Sequence, residues 1–176
     1  LTKIFHQVVA IDSVSFDVRP GEIHCLLGEN GAGKSTLAEC IYGFYKPEQG
    51  EIFVEGQPVQ MSSPAEAIGR GIGMVHQHFV LVPTLSVLEN IVVGTNASGI
   101  LLELGKAEKE VKRLCQRYCV ELDLGAKVWQ LPVGQQQWVE ILKVLYVGAR
   151  LLILDEPTAV LTPQEARALF EILGMM

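Results

Sequence analysis

The feature that most constrains the fold is a glycine-rich segment, residues 28–36, which reads Gly-Glu-Asn-Gly-Ala-Gly-Lys-Ser-Thr. It satisfies the pattern G-x-x-x-x-G-K-[ST], in which a turn joins a strand to a helix. The flanking residues fit that context, because residues 23–27 are largely apolar and predict a short strand, and a helix is predicted from the turn to about Tyr42. The segment therefore predicts a phosphate-binding loop in a protein of alternating strands and helices.

Each residue type in this segment suits the binding of phosphate. Glycines let the backbone curl so that successive N–H groups point at phosphate oxygens, and the following helix presents its positive end to the same anion. Lys34 adds a positive charge for the β- and γ-phosphates, and the Ser35 hydroxyl suits Mg²⁺. The residues expected to bind nucleotide here are Gly28, Asn30, Gly31, Ala32, Gly33, Lys34, Ser35 and Thr36.

A second motif lies at the end of an apolar run, residues 151–154, which predicts a buried strand. Two carboxylates, Asp155 and Glu156, follow at the edge of the sheet where α/β proteins place their sites. Asp155 is expected to hold Mg²⁺ and Glu156 to polarise an attacking water. An apolar strand that ends in acidic residues is common by itself, and the phosphate loop is what favours the functional interpretation.

The alternation of predicted strands and helices along the chain predicts a largely parallel α/β sheet. Alternating residues at 14–18 and 51–54 indicate half-exposed strands, and the pattern from Pro83 to Gly148 is mostly helical. A last helix is expected to start at Thr162, because Thr162-Pro-Gln-Glu forms a capping box with proline in the first helical position.

Composition excludes several classes of protein. Hydrophobic residues make up 49% of the chain and charged residues 19%, which is too apolar for a disordered chain. The formal net charge is −6 and there is no lysine or arginine cluster, so nucleic acid is not an expected partner. No apolar run approaches the roughly 18 residues of a membrane span, and any membrane role is expected to need another chain.

The order of these motifs resembles the nucleotide-binding domain of an ABC transporter, from Phe5 to about Glu171. The most discriminating part is residues 131–135, Leu-Pro-Val-Gly-Gln, which stand where that family has its signature Leu-Ser-Gly-Gly-Gln. The resemblance implies a P-loop NTPase fold with a mainly parallel sheet, an antiparallel β subdomain and an inserted helical subdomain at about 83–148. It also implies ATP and Mg²⁺ as cofactors.

The resemblance assigns roles to further residues. Gln77 matches the glutamine that reaches Mg²⁺ and the attacking water, with an ordinary exposed loop amide as the alternative. Phe5 stands where the family stacks an aromatic on adenine, and a plain core phenylalanine is the alternative. Val133, Gly134 and Gln135 match residues that close over ATP held by an opposing domain, and residues 157–162 match the D-loop that contacts this domain.

The individual residues at 75–79 and 157–165 are similar to those of the first domain of ribose- and nucleoside-type importers. That subgroup implies a sugar or nucleoside as the transported solute. The implied partners are a second nucleotide-binding domain, separate or in tandem, transmembrane permease subunits and, indirectly, an extracytoplasmic substrate-binding protein. The implied location is peripheral, at the cytoplasmic face of the cell membrane.

Three departures from the family pattern limit these expectations. Pro132 replaces the signature serine and has neither a hydroxyl nor an N–H to donate, a loss of about ten- to a hundredfold in rate if that bond forms in the transition state. Trp138 replaces an arginine, and a packed helix residue is the plain interpretation. All four histidines precede Asp155, so none can be the family's switch histidine.

We therefore expect residues 1–176 to be a single, C-terminally truncated nucleotide-binding domain that binds ATP and hydrolyses it weakly or not at all. One alternative is a degenerate ATP-binding partner whose companion domain performs hydrolysis. The others are a non-transport ABC ATPase that acts on DNA or ribosomes, and a simple P-loop kinase or GTPase.

Overall fold

A computed structural model describes residues 1–93, 104–159 and 161–174. The described strands are β1 (Lys3–Phe5), β2 (Val8–Ile11), β3 (Ile52–Val54), β4 (Gln57–Val59), β5 (Ile72–Val75) and β6 (Leu151–Leu154). The described helices are α1 (Lys34–Ile41), α2 (Pro64–Gly69), α3 (Val87–Val92), α4 (Leu104–Arg117), α5 (Val133–Tyr146) and α6 (Pro163–Leu173), with a 3₁₀ turn at Val128–Gln130. The chain divides into two compact units, Leu1–Gly73 and Met74–Met176.

The first unit contains two antiparallel hairpins, β1–β2 and β3–β4. The β3–β4 turn has positive φ angles at Glu55 and Gly56, 52° and 76°, which is the primed geometry that matches the twist of the flanking strands. Helix α1 packs its buried Leu37 and Cys40 against Ile11 of β2. The half-exposed strand predicted at residues 51–54 is therefore confirmed as β3.

Two predicted strands of this unit are wrong. Residues 14–18 and 23–27 form no strand, and Ile23 and Leu27 are 59% and 88% exposed. The physical reason is that an apolar run needs hydrogen-bonded neighbours before it becomes a strand. Among the described residues no strand pairs with either segment, so their backbone groups gain no ladder bonds that would hold them extended.

The second unit is built around helix α5. Its apolar face packs against α3 and α4 in one buried cluster that includes Val87, Ile91, Val139 and Leu142. Strand β6 pairs in parallel with β5, which confirms the strand predicted at residues 151–154. The expected burial of that strand is wrong, because Leu151 is 36% exposed and the other three residues are only half-buried. The mostly helical character predicted for residues 83–148 is confirmed for its described part, while residues 94–103 lie outside the described residues.

Helix α6 begins as predicted. Thr162 is the N-cap, its side chain accepts a hydrogen bond from the Glu165 N–H at 3.3 Å, and Pro163 takes the first helical position. The apolar face of α6 places Leu169 in a cluster with Ile141 of α5. The combination of paired strands, hairpins and packed helices confirms the predicted α/β class. Among the described residues, no helix is long and apolar enough to cross a membrane.

Candidate functional site

The glycine-rich loop leads directly into the first turn of α1. Gly33 is the N-cap, with a left-handed φ of 90°, and Gly31 has a φ of 82°. A Cβ at Gly33 would lie 3.3 Å from the Ala10 carbonyl carbon and closer still to its oxygen. Backbone conformation and lack of space therefore both require glycine at residue 33.

Lys34 folds back over this loop. Its Nζ donates hydrogen bonds to the carbonyl oxygens of Gly28 at 2.8 Å and Glu29 at 2.9 Å. The first turn of α1 carries no acidic residue, so the positive end of the helix is not neutralised from within. A lysine ammonium above a glycine-rich turn at a helix start is an arrangement that fits an anion such as phosphate.

The other predicted residues of the first unit lie around this loop or on the hairpin behind it. Asn30, Ala32 and Ser35 are exposed, and Thr36 is half-buried. Phe5 of β1 is half-buried, and its ring meets the edge of Tyr45 with 4.9 Å between ring centroids. A half-buried ring is compatible both with a partner for a base and with an ordinary packing residue.

In the second unit, Gln77 and Glu156 meet directly. The Gln77 Nε2 donates a hydrogen bond to Glu156 Oε2 at 2.9 Å. Gln77 follows β5 and Glu156 follows β6, so the pairing of these two strands brings them to one sheet edge. Asp155 is half-buried there, and its N–H donates to the Val75 carbonyl at 3.1 Å. Glu156 has a left-handed φ of 49°, an unusual conformation for a residue that is not glycine.

The segment that follows Gln77 is fixed by two buried polar residues that sequence reasoning missed. Asn90 of α3 accepts a hydrogen bond from the Val82 N–H at 2.8 Å and donates to the carbonyls of Val82, Leu85 and Ser86. Glu140 of α5, which is 6% exposed, accepts from the Val80 N–H. Their signal in the sequence is only a polar residue at an otherwise apolar helix position.

The signature region forms the start of α5. Pro132 is the N-cap and its carbonyl accepts from the Gln135 and Gln136 N–H groups, but no side chain caps this helix. Val133 is exposed, Gly134 is buried and Gln135 is half-buried. Trp138 packs into the apolar clusters on both sides of α5, which confirms the packed-residue interpretation.

The structure therefore brings together Gln77, Asp155 and Glu156 in the second unit, which also holds Val133, Gly134 and Gln135. The loop residues and Phe5 belong to the first unit. In the predicted D-loop, Val160 lies outside the described residues.

Comparison with known proteins identifies the family. The family model described as ABC transporter matches residues 11–159. Similar proteins include the glucose import ATP-binding protein TsgD13 of Haloferax volcanii, 48% identical over 98% of this chain and 37% of that protein. The guanosine import ATP-binding protein NupO of Bacillus subtilis is 49% identical over 98% of this chain and 34% of its own length. The chain thus spans about a third of the length of these relatives.

Solved structures agree on the fold. An ATP-binding cassette of an ABC transporter, MJ1267, superposes with a TM-score of 0.87 at 27% identity, over 98% of this chain and 72% of that one. A dimeric structure of the ABC transporter cassette MJ0796 gives a TM-score of 0.81 at 26% identity, over 98% of this chain and 78% of that one. Because the family model and these relatives cover nearly the whole chain, the chain belongs to the ABC transporter family.

Proposed function

We propose that this chain is the ATP-binding part of an ABC importer, with ATP bound by the loop at residues 28–36. The observation that carries the proposal is Lys34, whose ammonium lies above the loop on the carbonyls of Gly28 and Glu29. Carbonyl oxygens are neutral acceptors, and a phosphate oxygen that replaced them would form a stronger, charge-assisted bond. Gly31, Gly33 and the start of α1 supply the N–H groups that a triphosphate needs.

Mg²⁺ binds hydroxyl and carboxylate oxygens. The first unit offers the Ser35 hydroxyl for this role, and the second unit offers the Asp155 carboxylate. Bound magnesium would neutralise phosphate charge. Glu156 is the carboxylate that would accept a proton from water, and the amide of Gln77 orients it through the 2.9 Å hydrogen bond. If that bond were released, Glu156 Oε2 would be free to accept a hydrogen bond from a water molecule instead.

The finer assignment is a sugar or nucleoside importer. It is supported by similarity to proteins named for the import of glucose, guanosine and ribose. On this proposal the chain works at the cytoplasmic face of the membrane beside transmembrane permease subunits, and a second nucleotide-binding domain closes its ATP site. Residues 133–135 are the part of this chain that would face the ATP of that second domain.

A second candidate is a degenerate ATP-binding partner that binds ATP without hydrolysing it. Pro132 favours this candidate, because it caps α5 without a side-chain hydrogen bond and offers no hydroxyl to a phosphate. In that case hydrolysis would belong to the companion domain.

Phosphate release from ATP separates the two candidates. We expect the isolated chain to turn ATP over slowly or not at all, and the complete transporter that contains it to hydrolyse ATP at a rate that Glu156→Gln abolishes. The matched control is Glu110→Gln, an exposed glutamate on α4, which should leave the rate unchanged. An assembled transporter whose rate is the same with and without Glu156→Gln would favour the degenerate partner.

Solute uptake tests the finer assignment. Cells that lack their own importers and carry the complete transporter should accumulate at least one of radiolabelled glucose, ribose and guanosine, and Lys34→Ala should abolish the accumulation. Accumulation of none of the three, with ATP hydrolysis intact, would contradict the sugar or nucleoside assignment and leave the ATP-binding assignment standing.

A further inference from the structure

Gly134 is a glycine for reasons of space. It lies in the first turn of α5 without a positive φ, so its backbone would accept any residue. A Cβ built on it would lie 2.7 Å from Glu165 Cδ and 3.3 Å from Glu165 Cγ, and closer still to Oε1. The carboxyl group of a residue on α6 therefore lies directly against the start of the signature helix.

Glu165 is held in that position by its own helix. Its Oε2 accepts hydrogen bonds from the Thr162 N–H and the Thr162 hydroxyl, both at 2.8 Å, while its N–H donates to Thr162 Oγ1 at 3.3 Å. These bonds hold the pKa of the Glu165 carboxyl below its ordinary value, so it is ionised at neutral pH. Moving the carboxylate away from Gly134 means breaking its two hydrogen bonds with Thr162, which are the Glu165 half of the capping box of α6.

The helices themselves cannot easily separate to make room. Leu169 and Ile172 on α6 are 1% and 9% exposed and pack in the clusters that contain Ile141 and Leu142 of α5. A cavity of about 260 Å³ adjoins the contact and is lined by Gly134, Gln135 and Glu165. A displaced carboxylate could enter this cavity, but only by leaving Thr162.

We propose that Glu165 is a positioning residue for the signature turn: its carboxylate, fixed by Thr162 and packed on Gly134, ties the start of α5 to the start of α6. Residues 133–135 and the cap of the helix after the D-loop then move as one body. The effect of this contact on the closing of residues 133–135 over the ATP of a second domain rests on the proposed function. The contact between Glu165 and Gly134 does not.

A double-mutant cycle measured by urea unfolding tests the contact. Gly134→Ala should lower the ratio of folded to unfolded chain about tenfold, because the new methyl group displaces Glu165 and breaks the cap. In the Glu165→Ala background the same change should be neutral or stabilising, since an alanine is preferred in a helix once the space is open. Gly105→Ala is the matched control, because a Cβ at this helical glycine meets nothing within 4 Å and the change should not destabilise.

Two further measurements separate positioning from general stability. Glu165→Gln keeps an acceptor for Thr162, and in this background Gly134→Ala should again destabilise. Thr162→Ala adds no atoms, and it should speed amide exchange at Gly134 and Gln135, whereas Ser86→Ala, which removes the corresponding cap of α3, should not.

The inference would be overturned if Gly134→Ala lowered the free energy of unfolding equally in the wild-type and Glu165→Ala backgrounds. Unchanged amide exchange at Gly134 and Gln135 in Thr162→Ala would also overturn it. If Gly134→Ala fails to fold, recovery of folding in the double variant supports the inference and its absence contradicts it. None of these readouts needs ATP, so failure of ATP binding would defeat the proposed function and leave this inference standing.

Discussion

Asn90 shows how a single side chain shapes the path between Gln77 and helix α3. It is fully buried, its Oδ1 accepts one hydrogen bond, and the two N–H groups of its Nδ2 are shared among three backbone carbonyls. In the described part of the chain no strand pairs with residues 76–85, and the Asn90 side chain satisfies backbone groups that a strand would otherwise satisfy. This loop connects Gln77, which follows β5, to helix α3.

We therefore expect Asn90→Ala to destabilise the chain by about 2–4 kcal/mol, because it leaves buried backbone groups unsatisfied. Urea unfolding followed by circular dichroism measures this change. Gln116→Ala, at an exposed position on α4, serves as the control and should change stability by less than about 0.5 kcal/mol. A loss in Asn90→Ala no larger than in the control would contradict the role of Asn90.

At the scale of elements, the helix starts differ in how they are capped. Helices α3 and α6 each begin with a capping box, Ser86 with Glu89 and Thr162 with Glu165, whereas α5 begins at Pro132 without a side-chain cap. The first two starts are therefore held locally. The start of α5 depends on its contact with α6 and on the Gln136 amide, which donates to the Leu131 carbonyl at 2.9 Å.

Ser86→Ala should accordingly cost about 1 kcal/mol of stability, the usual cost of losing an N-cap hydrogen bond. Thr84→Ala, two residues earlier and exposed, is the matched control and should be close to neutral. Thermal unfolding of both variants checks the difference, and equal melting temperatures would show that the Ser86 cap contributes nothing.

How far each element could be predicted follows from how local its signal is. The capping box at Thr162 and the helix start after the glycine-rich turn are confirmed, because contiguous residues determine them. The strand expected at residues 23–27 is wrong, because a strand depends on neighbours that an apolar run does not specify. Contacts such as Gln77 with Glu156, and Gly134 with Glu165, join residues far apart in the chain and became visible only with the packing of β5, β6, α5 and α6.

For the whole molecule, five glutamates share one electrostatic feature. Hydrogen bonds from neighbouring groups lower the pKa of each carboxyl below its ordinary value of 4.5, through Arg19, Lys3, Ser62, Ser86 and Thr162 respectively. These residues are Glu22, Glu48, Glu66, Glu89 and Glu165. Both compact units contain such groups, so acid should weaken both units.

The sign of the pH dependence follows from the lowered pKa values. Each of these carboxylates contributes stability above its unfolded pKa, and this contribution is lost as the pH falls through the lower folded pKa. The free energy of unfolding should therefore be level above about pH 5.5 and should fall steadily below about pH 4.5. Urea unfolding at a series of pH values tests this, and Glu89→Gln should flatten the acid slope. Stability that rises on acidification from pH 5 to 3 would contradict these assignments.

We claim that this chain binds ATP through the loop at residues 28–36, and calorimetric titration with ATP and Mg²⁺ is the sharpest test. We expect saturable binding by the chain, an affinity about ten- to a hundredfold lower in Lys34→Ala because a charge-assisted bond is lost, and unchanged affinity in Lys109→Ala, an exposed lysine on α4. Folding of each variant is verified by its unfolding midpoint. Absence of ATP binding by the folded chain, or equal affinity in Lys34→Ala and the unaltered chain, would contradict the claim.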